Sequence, residues 1–114
     1  MTVLDPIIVS QDIDPPRAEF ELIVPKDLFY LQGHFPANPV LPGVTQVHWA
    51  ISLARTHLPL KETFLGIEAL KFHLLVMPDT HLKLTLEHIK SSGKLRFRYT
   101  SDAGLHSHGR ILFG

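Results

Sequence analysis

Gly33-His34-Phe35-Pro36-Ala37-Asn38-Pro39-Val40-Leu41-Pro42-Gly43-Val44 places a histidine in a rigid loop that runs straight into an apolar helix. Prolines at 36, 39 and 42 fix φ, remove backbone donors and push each preceding residue toward extended geometry. The loop is therefore stiff without regular structure. Gly43 lets a ligand or another backbone come close. The N–H groups that follow it, at a helix N-terminus, favour partial negative charge. A positioned base beside a positive backbone pole is the minimum equipment for proton abstraction next to a carbonyl.

Downstream of the loop, Val44, Val47, His48, Ile51, Ala54 and Leu58 recur at helical spacing and predict a helix over 44–58. Trp49, Ala50 and Leu53 occupy much of its other side, so the helix reads as buried on most sides. Gln46, Ser52 and Thr56 must then find partners or a surface. Upstream, residues 1–16 read as an N-terminal arm or edge strand ending in a turn. The alternation in 18–24 predicts a half-buried strand stopped by Pro25. After Pro59 the pattern is β throughout. Strands are expected over 65–76, 80–89, 94–99 and 105–113, the later ones separated by turns at Ser91-Ser92-Gly93 and Ser101-Asp102-Ala103-Gly104. Consecutive strands with short turns imply an antiparallel meander, and one buried helix against it makes an α+β domain.

A length of 114 residues, 45% apolar and 19% charged, fits one globular domain spanning 1–114. Lys+Arg and Asp+Glu balance at 11 each, so the total carries no electrostatic footprint for nucleic acid or an anionic membrane. The absence of cysteine excludes disulfides and thiolate chemistry and fits a reducing cytoplasm. The first residues lack a basic region followed by a long apolar run, so no signal peptide is expected. No apolar stretch approaches the ~20 residues of a membrane span.

The segment Gly33-His34-Phe35-Pro36-x-x-Pro39-x-x-Pro42-Gly43-Val44 resembles the signature of the 3-hydroxyacyl-acyl carrier protein dehydratases of the hot-dog fold. Gly66-Ile67 through Lys71-Phe72, then Val76-x-Pro78-Asp79-x-x-Leu82-x-Leu84, is similar to that family's strand-turn-strand after the helix. The 93–113 hairpin also fits, so the resemblance covers roughly residues 18–114. It implies a long central helix wrapped by a curved antiparallel sheet, and a homodimer or a higher oligomer built from such dimers, with two active sites at each dimer interface. It also implies that His34 is the base and that Gly43, with the N–H of Val44, polarises the thioester carbonyl. Phe35, Pro36 and Pro42 then shape the substrate loop. The family's second catalytic group is a carboxylate one turn into the helix, contributed by the partner subunit. Here that position is His48. Within the superfamily the chain is more similar to the small dehydratases of aryl polyene biosynthesis than to the housekeeping fatty-acid enzyme.

Dehydration needs a base for the Cα proton, an acid for the departing hydroxyl and stabilisation of an enolate oxygen. His34 suits the first role and the backbone at Gly43 the third. His48 serves the second only when protonated, so the pair should titrate as a unit and give a bell-shaped pH profile. His48 has two other readings: orienting water or the substrate hydroxyl, or acting as a buried structural histidine. Trp49 and Phe72 are expected in the core. Lys94, Arg96 and Arg98 share one strand face, read either as a solvated surface or as a landing site for an acidic acyl carrier protein. Arg55 and Lys61 are further candidates for that role. His106-x-His108 would put two imidazoles on one face, but no carboxylate stands at a familiar ligand spacing. No metal or cofactor is expected, and neither nucleic acid nor membrane is an expected partner. The alternatives to a dehydratase are a hot-dog thioesterase and a non-catalytic acyl-binding or assembly subunit. The lack of any helix carboxylate counts against the thioesterase.

Overall fold

Alternation of apolar and polar side chains in its central strands organises a six-stranded antiparallel sheet, here described from a computed structural model over residues 3–28 and 40–114. The strands are β1 (Ile7–Asp14), β2 (Arg17–Ile23), β3 (Phe64–Phe72), β4 (His81–Ile89), β5 (Lys94–Ser101) and β6 (Gly104–Phe113). The only helix among the described residues is α1 (Gly43–His57). Phe20 and Leu22 of β2, Leu82, Leu84 and Leu86 of β4, and Leu95, Phe97 and Tyr99 of β5 all point inward. They meet Val47, Trp49, Ala50 and Ala54 of α1 in one continuous core. A single helix wrapped by a curved antiparallel sheet is the hot-dog fold.

The spatial order is β1-β2-β4-β5-β6-β3, which corrects the expected four-strand meander. Of those four strands, only β4, β5 and β6 follow one another. β3 pairs instead with the far side of β6, Glu68 standing opposite Arg110 and Phe72 opposite Ser107. The long strand expected over 65–76 ends at Phe72, because the chain must cross from one side of the sheet to the other before β4 begins. Val76 anchors that crossing: its side chain is fully buried and its carbonyl accepts the Leu41 N–H at 2.7 Å. The N-terminal segment forms the opposite edge as β1.

The helix is also rotated from the expected face. Val44 is 77% exposed and His48 is exposed, while Gln46, Trp49 and Ala50 turn toward the sheet. An almost uniformly apolar helix does not choose its rotation by periodicity. Trp49 makes the choice through its size, with its indole N–H donating to the Leu4 carbonyl at 3.0 Å, together with the buried contacts of Gln46. At the other end, Arg55 donates to the Glu62 carbonyl at 2.8 Å and lies 5.0 Å over the Phe113 ring.

Glycine matters at the junction of β3 and β6. A Cβ on Gly109 would come within 3.0 Å of the Phe97 ring and 3.3 Å of the Leu70 backbone. The missing side chain lets β3, bulged between Glu68 and Lys71 with Ala69 at φ 52°, settle over β6. Phe97 fills this junction and is fully buried. Phe97→Ala should cost roughly 3–5 kcal/mol, read as a lower urea midpoint with little change in slope.

Candidate functional site

Pro42 precedes α1 with φ −60° and ψ 145°, and no side chain among the described residues caps the helix. Thr45 and Gln46 N–H both turn back to the Pro42 carbonyl, at 3.1 and 3.2 Å. The N–H groups of Gly43 and Val44 have no acceptor among the described residues, so they form the positive pole at the helix start. Phe72 stands directly on this point. A Cβ on Gly43 would lie 2.5 Å from the Phe72 ring, so the glycine lets the ring reach the helix. Phe72 is therefore not a core residue: it is half exposed and roofs the helix N-terminus.

Gln46 fixes where that pole points. The Tyr99 hydroxyl donates to the Gln46 backbone carbonyl at 2.6 Å, and Ser107 Oγ donates to Gln46 Oε1 at 2.7 Å. Tyr99 and Ser107 stand opposite each other on β5 and β6, so one cross-strand pair grips one helical residue. Gln46, Tyr99 and Ser107 are all buried. Buried polar groups of this kind stabilise when fully paired and are costly when one partner is lost. Burial also pushes the Tyr99 phenol well above its ordinary value. Sequence reasoning recognised only that Gln46 needed a partner. The signal was a lone amide on an apolar helix start and a tyrosine in an inward register.

The residues expected at the site are distributed as follows. Gly43, Val44 and Pro42 lie together at the helix start. His34, Phe35 and Pro36 lie outside the described residues. His48 faces outward on α1, one turn beyond Val44, and is not a buried structural histidine within this protomer. Of the expected basic stripe, Lys94 donates to Glu68 at 2.6 Å and Arg96 to Glu87 at 2.9 Å. Only Arg98 of the three has no carboxylate among the described residues. Arg55 is engaged at the helix end, while Lys61 is exposed. His106 and His108 do not share a face. A register shift in the β5–β6 ladder turns His106 inward, bonded to Ser101 Oγ at 2.6 Å and the Leu75 carbonyl at 3.2 Å. His108 stacks instead against His73, with ring centroids 5.2 Å apart. No cluster of three metal-ligating side chains occurs among the described residues, and no helix there is long and apolar enough to cross a membrane.

One helix that starts at a glycine, laid against a six-stranded antiparallel sheet, defines the class of protein: a hot-dog domain. The chain belongs to the ApeI-like dehydratase family, whose pattern it matches over residues 10–110. It is 36% identical over 97 residues to the 3-hydroxyacyl-[acyl-carrier-protein] dehydratase FabZ of Acetivibrio thermocellus, covering 74% of this chain and 64% of that one. The FabZ of Lactiplantibacillus plantarum is 32% identical over 102 residues, covering 79% of this chain and 69% of that one. The structure resembles the dehydratase heterocomplex ApeI:P of Xenorhabdus doucetiae, with a TM-score of 0.89 and 32% identity over 96% of this chain and 97% of that one. An uncharacterized protein of Erwinia carotovora subsp. atroseptica gives 0.84 and 33% identity over 94% of each chain.

The grip on Gln46 has a pH signature. Tyr99 stays protonated in the fold, whereas the unfolded phenol ionises near pH 10. Its burial thus favours the folded state fully below about pH 10, and that advantage is lost as pH rises further. Thermal unfolding of the wild type should fall steeply above that point. Tyr99→Phe should lose about 0.5–1.5 kcal/mol at neutral pH, because the phenol's bond to the Gln46 carbonyl is gone while the helical one from Ala50 remains, and show a shallower alkaline decline.

Proposed function

We propose that this chain dehydrates 3-hydroxyacyl thioesters carried on an acyl carrier protein, giving trans-2-enoyl thioesters for fatty acid-like or polyene assembly. The observation that carries the reading is the Gly43–Val44 pole. It has free N–H groups among the described residues, is held by the buried Gln46 contacts, and follows directly on the His34 loop in a member of a dehydratase family. His34 takes the Cα proton. The Gly43 and Val44 N–H groups stabilise the enolate oxygen as the electron pair moves through the carbonyl. The C3–O bond then breaks, and the hydroxyl leaves as water with a proton from His48. Phe35, Pro36 and Pro42 hold the acyl chain against this centre. No metal or cofactor takes part.

His48 points away from its own sheet, so it serves a site completed by a second chain. The matching surface is β3, a sheet edge whose Phe64, Leu65, Ile67 and Phe72 are exposed. An apolar edge strand is a ready template for pairing. A second hot-dog chain seated there would extend the sheet and bring the two helices side by side. A copy of this chain is the simplest occupant. The solved relative described as a heterocomplex supports a second reading, in which the partner is a non-identical hot-dog chain. The charge balance and cysteine-free composition suit work in the cytoplasm.

Hydration of a trans-2-enoyl thioester tests the reading in reverse. Wild type should be active with a bell-shaped pH profile, and His34→Ala should lose about 10²–10⁴-fold. His48→Ala should lose activity and flatten one limb of the profile; unchanged activity would remove His48 from the mechanism. Free thiol release without hydration would favour a thioesterase, and inactivity across pH and chain length would leave only an assembly role. In light scattering the wild type should run as a dimer, and Leu65→Glu on the β3 edge should shift it toward monomer.

A further inference from the structure

The outer face of the sheet is organised by charge. Across one row, Arg17 of β2, Glu87 of β4, Arg96 of β5, Arg110 of β6 and Glu68 of β3 stand in register. Glu87 takes Arg96 at 2.9 Å, and Glu68 takes both Lys94 at 2.6 Å and Arg110 at 3.1 Å. Two residues along, the next row runs Glu19, Thr85, Arg98, His108 and Lys71. Its only carboxylate, Glu19, already holds Arg17 and Lys83, each at 3.5 Å, and Thr85 of β4 separates it from Arg98. Arg98 and Lys71 therefore meet across His108 with no acid between them among the described residues. His73, just past the end of β3, stacks on the His108 ring at 19°.

Like charges on neighbouring strands destabilise a sheet, and this cluster lacks the carboxylate contact that Arg17, Lys94, Arg96 and Arg110 on the same face each have. Partial burial and then the nearby His73, Lys71 and Arg98 hold His108 below its ordinary range. A groove of about 320 Å³ opens beside the cluster, over Ala69 and Gly109 where β3 bulges. The position also bears on the proposed reaction. Lys71 and His73 flank Phe72, whose ring stands on Gly43. A partner docked on this patch would sit behind the helix pole, separated from it only by the end of β3.

We propose that the outer-face patch of Arg98, Lys71, His108 and His73, and not the Lys94/Arg96 stripe, is where an acidic acyl carrier protein docks. The inference rests on the carrier-bound substrate proposed above. Opposite charge over such a patch steers encounter and fixes orientation. The carrier's flexible arm would pass round the end of β3 to the pole. Sheet extension along the β3 edge uses backbone groups, so these outward side chains stay accessible in a paired assembly. An anionic partner would favour the charged form of His108, so docking should draw in protons. The groups facing that ring are Arg98 from β5, Lys71 and His73 from β3 and its end, and Arg110 further along β6.

The test compares two substrates sharing one trans-2-enoyl group, carried either on a bacterial acyl carrier protein or on the short neutral thiol N-acetylcysteamine. Lys71→Glu/Arg98→Glu should lower kcat/KM on the carrier-bound substrate by on the order of tenfold at low salt. It should leave the short thioester within about twofold, because a short neutral substrate makes no use of long-range steering. Lys90→Glu, a charge reversal in the β4–β5 turn, should change neither. Equal losses on both substrates, or no loss on the carrier-bound one, would overturn the proposal. Direct titration of the carrier onto the protein reads docking without turnover, so an inactive wild type would refute the dehydratase and not the patch. In that titration binding should tighten from pH 8 to pH 6, and His108→Gln should weaken this dependence. Displacement of the carrier by millimolar inorganic phosphate at constant ionic strength would mark a small-anion site instead and overturn the docking reading.

Discussion

The grip of Tyr99 and Ser107 on Gln46 is the constraint from which the rest of the site follows. Hydrophobic burial alone would hold α1 against the sheet, but an almost uniformly apolar helix can be buried at several rotations with similar gain. Two hydrogen bonds to one buried residue cannot be satisfied at several rotations. Any turn of the helix would strand the Tyr99 hydroxyl, the Ser107 hydroxyl and the Gln46 amide away from water, each at a cost of about 1–3 kcal/mol. That penalty makes the rotation unique. It puts Gly43 beneath Phe72, faces Val44 and His48 outward, and leaves the first N–H groups of the helix free among the described residues.

Much of the fold was legible because β alternation is a local signal. The inward set Leu82, Leu84, Leu86 and the set Leu95, Phe97, Tyr99 can be read directly from the sequence, and both are buried. The helix was legible in extent but not in rotation, since Trp49 finds its partner at Leu4 and Gln46 finds its own at Ser107, far away in the chain. The place of β3 beside β6 was illegible for the same reason. Nothing local to residues 64–72 says which edge they join. His106 and His108 show a further limit. Their spacing implies one shared face, and a single register shift sends one ring into the interior and the other to the surface. Of the site, only the place of Gly43 at the helix start follows from the loop-helix junction, whereas the outward turn of His48 and the second role of Phe72 needed the folded sheet.

Charge was the least readable property. Lys94, Arg96 and Arg98 look equivalent in sequence, one stripe on one strand. In the fold their neighbours are chosen by register, and β4 and β3 supply a carboxylate to the first two and none to the third. Arg98 then faces His108 across the hairpin and gains Lys71 and His73 from β3 and just past its end, far from it in the chain. A composition with equal numbers of acids and bases thus hides a surface whose cations each hold a carboxylate in one row, while Arg98 and Lys71 hold none in the next among the described residues.

These two levels of organisation meet at Phe72. Its side chain faces the helix start, and the residues on either side of it, Lys71 and His73, face the opposite surface of the sheet. Any load placed on the outer cluster is therefore applied to the strand that roofs Gly43. Because Gly43 has no Cβ, the ring rests on the helix backbone itself, and Phe72 is also the register partner of Ser107, which holds Gln46. The helix start is anchored from the β5–β6 side and covered from the β3 side. The buried Gln46 contacts orient the N–H groups, and the end of the edge strand sets what stands over them.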